Sequence, residues 1–161
     1  MMTKKIVFRL GMVGAPFLFL FFQCEKLAMD RRYPLFLKND SPSSIRYYIA
    51  FEYKDTRAYP DTSLPGRNNY ADRINPGEKF KAYDSGGKWS MIYKDFLPSD
   101  TLSVFVFSTD TLERYSWEIV KNEYKILKRY DLSLQDLEQL KYTIAYPPSP
   151  EMAKMKMYPR Q

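Results

Sequence analysis

Alternating hydrophobic and polar positions are the clearest pattern in the chain beyond residue 32. Ile45, Tyr47 and Ile49 share one face at a period of two. Arg46 and Tyr48 fall on the opposite face. This alternation is typical of an antiparallel strand with one face buried. Similar aromatic and β-branched runs predict the other strands, which cover residues 33–38, 79–83, 101–108, 124–132, 142–146 and 155–158.

Helical spacing occurs between these runs. Trp89, Ile92 and Tyr93 share the face of a short helix over residues 88–96. Residues 109–123 predict a second helical stretch, in which Ser116 is a possible break. A serine-to-aspartate spacing of three, Ser133 to Asp136, has the form of a capping box before a further helix. The whole pattern predicts an α+β fold that is mainly antiparallel and sandwich-like. We expect six or seven strands and two or three short helices.

The N-terminus follows a different pattern, because its hydrophobic residues are continuous. Residues 1–9 carry three basic side chains and no acid, and residues 10–22 are thirteen positions without a charge. A secretory signal peptide has this order, with a hydrophobic region of roughly 7–15 residues. A membrane-spanning helix needs about 20 apolar residues. The sequence therefore predicts an exported protein, and an uncleaved signal anchor over residues 6–23 is the alternative.

The only cysteine, Cys24, follows this hydrophobic run directly. The arrangement resembles a bacterial lipoprotein signal, which implies a diacylglyceryl thioether on the cysteine and an acyl group on the freed amine. Stable anchoring takes two or more such chains, since one chain binds a bilayer only marginally. Gln23 stands where these signals usually have a small residue, and an unmodified thiol is the alternative.

These signals divide the chain into three parts. Residues 1–23 are predicted to be the lipoprotein signal peptide, residues 24–32 the lipidated cysteine and a polar tether, and residues 33–161 one β-rich domain. The net charge is +6 for the whole chain, but three of the 25 basic residues and none of the 19 acids lie in residues 1–23, which leaves +3. The smaller charge and the predicted export both argue against a nucleic-acid partner.

Two later segments resemble a known group of proteins. They are SDTLSVFVFSTDTLERYSW, residues 99–117, and YKILKRYDLSLQDLEQLKYTIAYPP, residues 124–148. Together they resemble small uncharacterised lipoproteins of the Bacteroidales. The resemblance implies a location in the envelope of a Gram-negative bacterium, and it supplies no catalytic residues.

Aromatic side chains are the strongest candidates for a binding role, because they make up 17% of the chain. Exposed tyrosines can stack on sugars or anchor a protein partner. The alternative is that many of them pack in the core. The candidate binding surface consists of five tyrosines from one strand and the loop after it: Tyr47, Tyr48, Tyr53, Tyr59 and Tyr70.

The composition argues against the commonest catalytic and metal chemistries. The chain has no histidine, and one cysteine cannot build a Cys-rich zinc site. Asp100, Asp110 and Asp131 could serve acid–base chemistry, but their positions at element boundaries are typical of caps and turns. We therefore expect no catalytic site, metal or cofactor, with a small carboxylate-dependent hydrolase as the alternative.

Basic and aromatic residues also mix in residues 124–130. Lys128 alternates with Lys125 and Arg129 across the predicted strand, so no continuous basic stripe forms. These charges are predicted to lie on a solvated sheet face. The sequence as a whole predicts a lipid-anchored envelope protein with a binding or structural role at the outer membrane and a protein or glycan partner.

Overall fold

Seven strands form two sheets in the computed structural model, which describes residues 33–50, 64, 72–97 and 100–159. One compact unit covers Arg32–Gln161. The strands are β1 (Tyr33–Asn39), β2 (Ile45–Ala50), β3 (Lys79–Ser85), β4 (Leu102–Ser108), β5 (Lys128–Leu132), β6 (Thr143–Tyr146) and β7 (Lys156–Tyr158).

The two sheets differ in size and in strand direction. The three-stranded sheet has the order β3-β1-β6, with β1 antiparallel to β3 and parallel to β6. The four-stranded sheet has the order β2-β4-β5-β7 and is antiparallel throughout. The α+β, mainly antiparallel and sandwich-like fold predicted from the sequence is confirmed.

Within the described residues four short α-helices accompany the strands, where two or three were expected. The predicted break at Ser116 is present, because Ser116 precedes a new helix and splits residues 109–123 in two. The capping box is also present: Asp136 N–H donates to Ser133 Oγ and Ser133 N–H donates to the Asp136 carboxylate. The helices are α1 (Trp89–Asp95), α2 (Thr109–Arg114), α3 (Trp117–Asn122) and α4 (Leu134–Gln139). Within the described residues, no helix is both long and apolar enough to cross a membrane.

The predicted strand over residues 124–132 is wrong in its first part, since β5 begins at Lys128. The chain leaves α3 in a Schellman turn: Lys125 N–H donates to Val120 O at 2.9 Å, and Tyr124 N–H donates to Lys121 O at 3.3 Å. Tyr124 has a φ of 50° at the position where such turns usually carry glycine. The backbone there is in a conformation that costs an ordinary residue about 1–2 kcal/mol.

The end of α4 repeats this turn. Tyr142 N–H donates to Leu137 O at 2.8 Å, and Lys141 N–H donates to Glu138 O at 3.0 Å. Lys141 takes the glycine position with a φ of 48°, and its side chain is exposed. The two turns therefore share their hydrogen bonds, with Tyr124 at the glycine position of the first and Lys141 at that of the second, where Tyr142 follows with a φ of 56°.

The inner faces of the two sheets enclose one hydrophobic core. Leu35 and Ile144 come from the three-stranded sheet, and Val104 and Leu132 come from the four-stranded sheet. Trp89 of α1 packs in the same core, as its helical spacing predicted. Each fully buried aliphatic side chain contributes about 1.5–3 kcal/mol, so this layer supplies most of the stability of the fold.

Three buried tyrosines cross this core and donate hydrogen bonds to backbone carbonyls. Tyr47 Oη donates to Ala82 O at 3.0 Å and Tyr130 Oη donates to Ala145 O at 2.8 Å, so both bonds join the two sheets. Tyr93 of α1 donates to Leu132 O at 2.9 Å. Burial raises the pKa of all three phenols, and that of Tyr47 rises to about 12, with a smaller contribution from Asp72.

Candidate binding site on the outer sheet face

The outer face of the four-stranded sheet, which points away from the three-stranded sheet, carries a second core. Phe105 and Phe107 of β4 project from it and pack with Val120 of α3 and with Leu64. Trp117 makes an edge-on contact with Phe107, with ring centroids 5.8 Å apart. Helices therefore cover part of this face, and the remainder carries polar side chains.

Two adjacent rows of side chains run across the outer face, because the register aligns all four strands. In one row Tyr48, Phe105, Arg129 and Tyr158 lie opposite one another from β2 to β7. In the next row Ala50, Ser103, Asp131 and Lys156 do the same. Residues opposite each other on antiparallel strands have Cβ atoms about 4.5–5.5 Å apart. The fold therefore brings a cation, a carboxylate and aromatic rings together from four separate strands.

A buried ion pair lies at the centre of these rows. Arg129 Nε donates to Asp131 Oδ1 at 2.8 Å, and the two side chains are only 3% and 7% exposed. Ser103 Oγ donates to the same oxygen at 2.8 Å. The Arg129 guanidinium also lies 5.3 Å from the centroid of the Phe105 ring, within the range of a cation–π contact. The carboxylate is therefore held by two donors on one oxygen.

Stability alone does not account for this pair. Burying each ion costs several kcal/mol, and apolar side chains of similar volume are often as stable or more stable in its place. Removing one partner, by contrast, leaves an uncompensated charge. The fold therefore tolerates the ion pair at a cost in stability. Its role is to be found in the surface side chains that contact it.

Tyr124 covers the ion pair from the turn after α3. Its hydroxyl accepts a long hydrogen bond of 3.5 Å from Arg129 Nη1. Burial raises the pKa of Tyr124, and the neighbouring Arg129 opposes this in part. For Arg129, burial works to lower the pKa, but the hydrogen bonds to Tyr124 and Asp131 outweigh it and raise the pKa. A left-handed backbone costs an ordinary residue about 1–2 kcal/mol, so these contacts are what hold Tyr124 in place.

Tyr158 forms the exposed edge of the site. It lies opposite Arg129 on β7, makes an edge-on contact with Tyr124 at a centroid distance of 5.6 Å, and is 53% exposed. Lys128 Nζ donates to Pro159 O at 2.7 Å, which fixes the chain directly after Tyr158. Burial lowers the pKa of Lys128. We name the outer-face cluster by its five members, Ser103, Tyr124, Arg129, Asp131 and Tyr158.

Asp131 Oδ2 is a hydrogen-bond acceptor that the cluster can present to a ligand. Both hydrogen bonds that described residues donate to this carboxylate end on Oδ1, and none ends on Oδ2. Asp131 keeps 8% of its surface exposed. An ionised carboxylate has about four acceptor positions, so Oδ2 can still accept hydrogen bonds from a ligand or from water.

The tyrosines predicted as a binding surface do not form one in the described part of the chain. Tyr47 is 3% exposed and Tyr48 is 8% exposed, so the prediction is wrong for both. The alternation in β2 suggested one open face, but the strand is covered on both sides. Tyr53, Tyr59 and Tyr70 lie outside the described residues, as does Cys24.

The prediction of a solvated face over residues 125–129 is also wrong for two of its three charges. Lys128 and Arg129 are buried, while Lys125 pairs with Glu123 at 2.6 Å and lies over the Tyr115 ring. An alternating pattern of charges does not reveal whether another layer covers them. The sequence signal for the ion pair is the spacing of Arg129 and Asp131 in β5, because residues two apart on a strand share a face.

The three aspartates considered for acid–base chemistry have different surroundings. Asp110 is exposed in the first turn of α2, and Asp100 is exposed with a φ of 49°. Asp131 is paired with an arginine. Among the described residues no group of three or more Asp, Glu, His or Cys side chains is arranged to hold a metal ion. No protein family, curated protein or solved structure matches the chain, so functional inference rests on the sequence and on this geometry.

Proposed function

We propose that the chain is a lipid-anchored cell-envelope protein with a non-catalytic binding role at the outer membrane. The observation that carries the anchor is the position of Cys24, directly after a basic segment and thirteen uncharged residues. The sequence of residues 25–32 supports the proposal, because it provides a short polar segment between the cysteine and β1, which begins at Tyr33.

The proposed anchor has simple physical consequences. Each buried methylene contributes about 0.8 kcal/mol, so two or three acyl chains on Cys24 hold the protein at the bilayer. Eight residues lie between Cys24 and Tyr33 at the start of β1, so nine residue-to-residue steps join them. An extended chain spans at most about 3.3–3.6 Å per residue, which keeps the domain within about 30 Å of the lipid surface.

The binding role draws its support from the outer-face cluster. The cluster joins an exposed aromatic ring to a carboxylate oxygen that has no donor among the described residues, which is a combination suited to holding a ligand. The partner of Asp131 is a cation, whereas glycosidase chemistry needs two carboxylates across a cleft. The geometry of the described residues therefore favours binding over hydrolysis.

Metabolic labelling with an alkyne fatty acid tests the anchor. We expect wild-type protein to take up label and Cys24→Ser to take up none. Gln23→Ala is the matched control, since it changes the neighbouring residue and keeps the sulfur, and it should label at least as well as wild type. The mass of the mature chain should show the loss of residues 1–23. A Cys24→Ser protein that labels like wild type, or a chain that retains residues 1–23, contradicts the proposal.

A further inference from the structure

We propose that the outer-face cluster binds a neutral saccharide, with one sugar ring against Tyr158 and a sugar hydroxyl donating to Asp131 Oδ2. The inference rests on the binding role proposed above and names the class of ligand for it. Three observations support it: an exposed ring, an available acceptor, and a spacing between them that fits one sugar unit.

The ring is the first of these. Tyr158 is 53% exposed although β7 is only three residues long. Its contact with Tyr124 is edge-on, at an interplanar angle of 61°, so the two rings do not stack face to face. A pyranose presents an apolar face of C–H groups, and an aromatic ring with one apolar face and a polar tip is suited to receive it.

The second observation is an available hydrogen-bond acceptor, Asp131 Oδ2. Two donors bind Asp131 Oδ1 and fix the carboxylate in one orientation. Oδ2 receives no bond from a described residue, and the side chain reaches the surface. A carboxylate of this kind accepts from sugar hydroxyls. Because the fold already holds it in place, little conformational freedom is lost on binding.

The third observation is the spacing between Asp131 and Tyr158. Asp131 lies opposite Lys156, and Tyr158 is two residues further along β7 on the same face. Diagonal neighbours of this kind are about 7–8 Å apart. One sugar unit stacked on Tyr158 therefore brings a hydroxyl within reach of Oδ2. The bond from Lys128 to Pro159 keeps Tyr158 at this position.

The charges of the cluster favour a neutral ligand. The positive charge of Arg129 is already matched by Asp131 at 2.8 Å, and Lys156, which lies opposite Asp131, also has a partner, so the site has no excess buried charge for an anion. A stable protein partner usually buries about 800 Å² on each side around several aromatic anchors. Tyr158 is the single strongly exposed aromatic of the cluster, and this suits a small ligand better than a protein surface.

Affinity electrophoresis of the full-length protein in a mild non-ionic detergent tests the proposal, with laminarin, yeast mannan and dextran cast separately in the gel. We expect at least one polysaccharide to slow the wild-type protein. Tyr158→Ala should raise the apparent dissociation constant at least tenfold, because it removes the stacking surface. Tyr158→Phe keeps the ring and should remain within about twofold of wild type. Phe96→Ala is the matched control, since Phe96 is 58% exposed but lies outside the cluster.

The proposal is overturned if no polysaccharide slows the wild type, or if Tyr158→Ala and Phe96→Ala both bind like the wild type. Slower migration with an acidic polysaccharide alone, such as polygalacturonate, would contradict a neutral ligand. The gel reports sugar binding and fatty-acid labelling reports the anchor. Cys24→Ser should therefore lose the label and keep its retardation in the gel, so that the two proposals can fail separately.

Discussion

The two faces of the four-stranded sheet both pack a hydrophobic core, but their chemistry differs. The inner face packs aliphatic side chains against the second sheet, and its buried polar groups, the phenols of Tyr47 and Tyr130 and the ammonium of Lys128, each donate to a backbone carbonyl. The outer face combines aromatic packing with a buried ion pair, a strained tyrosine and an exposed tyrosine. The inner face of this sheet is therefore the core layer that any two-sheet fold needs. The outer face has features that folding alone does not require.

The difference shows where to look for function in a chain without recognisable motifs. The hydrogen bonds of the inner face need no reason beyond satisfying polar groups in a core. The outer face keeps charges whose burial is costly and a backbone conformation that glycine adopts more easily. Such departures from the most stable arrangement indicate a constraint other than stability.

The largest expected effect comes from breaking the ion pair. Asp131→Leu should lower the free energy of unfolding by about 3–5 kcal/mol, because Arg129 is left buried without its counter-charge. The triple change Ser103→Ala, Arg129→Met and Asp131→Leu should restore it to the wild-type value or above, since it removes both buried charges and the hydroxyl that pairs with them. Urea unfolding measures both. A triple variant as unstable as the single one would show that the outer face serves stability as the inner face does.

The inner face should contribute less to the free energy of unfolding at alkaline pH. The raised pKa of Tyr47, Tyr93 and Tyr130 means that the folded state keeps protons that the unfolded chain loses above its pKa of about 10. The stability that these phenols contribute is fully present below pH 10 and falls as the pH rises toward about 12. At pH 11 the loss is about 1.4 kcal/mol for each tyrosine.

Unfolding curves at pH 8 and pH 11, with tyrosinate absorbance recorded in parallel, measure this loss. Tyr130→Phe serves as the control, because it removes one titrating group and should make the loss smaller by about 1.4 kcal/mol. If the stability is the same at both pH values, the core tyrosines are not shielded as their burial indicates.

The smallest effect compares the two strained turns. Lys141→Gly should raise the free energy of unfolding by about 0.5–1 kcal/mol, because it relieves a left-handed backbone at an exposed side chain. Tyr124→Gly relieves the same strain but removes the ring that contacts Arg129 and Tyr158, and it should lower stability. Urea unfolding of the two variants measures both changes in stability. Equal gains would mean that the contacts of Tyr124 contribute nothing.

Local patterns in the sequence predicted most of the elements. The alternation in β2, the apolar face of α1 and the capping box at Ser133 each depend on residues close together in the chain. The break at Ser116 was visible for the same reason. The start of β5 was placed too early, since the Schellman turn at Tyr124 shows no glycine.

The candidate site was not predictable, because it depends on pairings between distant strands. Ser103 and Asp131 are 28 residues apart, and Tyr158 is further still along the chain. The alternating pattern of β5 predicts solvated charges, because an alternating strand has the same pattern whether or not helices cover it. For Tyr47 and Tyr48, neighbouring aromatics suggested a surface, whereas both faces of β2 are covered.

The measurement that tests the central claim most directly is polysaccharide binding by the triple variant Ser103→Ala, Arg129→Met and Asp131→Leu. Affinity electrophoresis should be run beside urea unfolding on the same preparation. If the outer face holds its charges for a ligand, the variant should unfold at or above the stability of the wild type and lose at least tenfold in affinity. A variant that is equally stable and binds sugar as well as the wild type would contradict the claim.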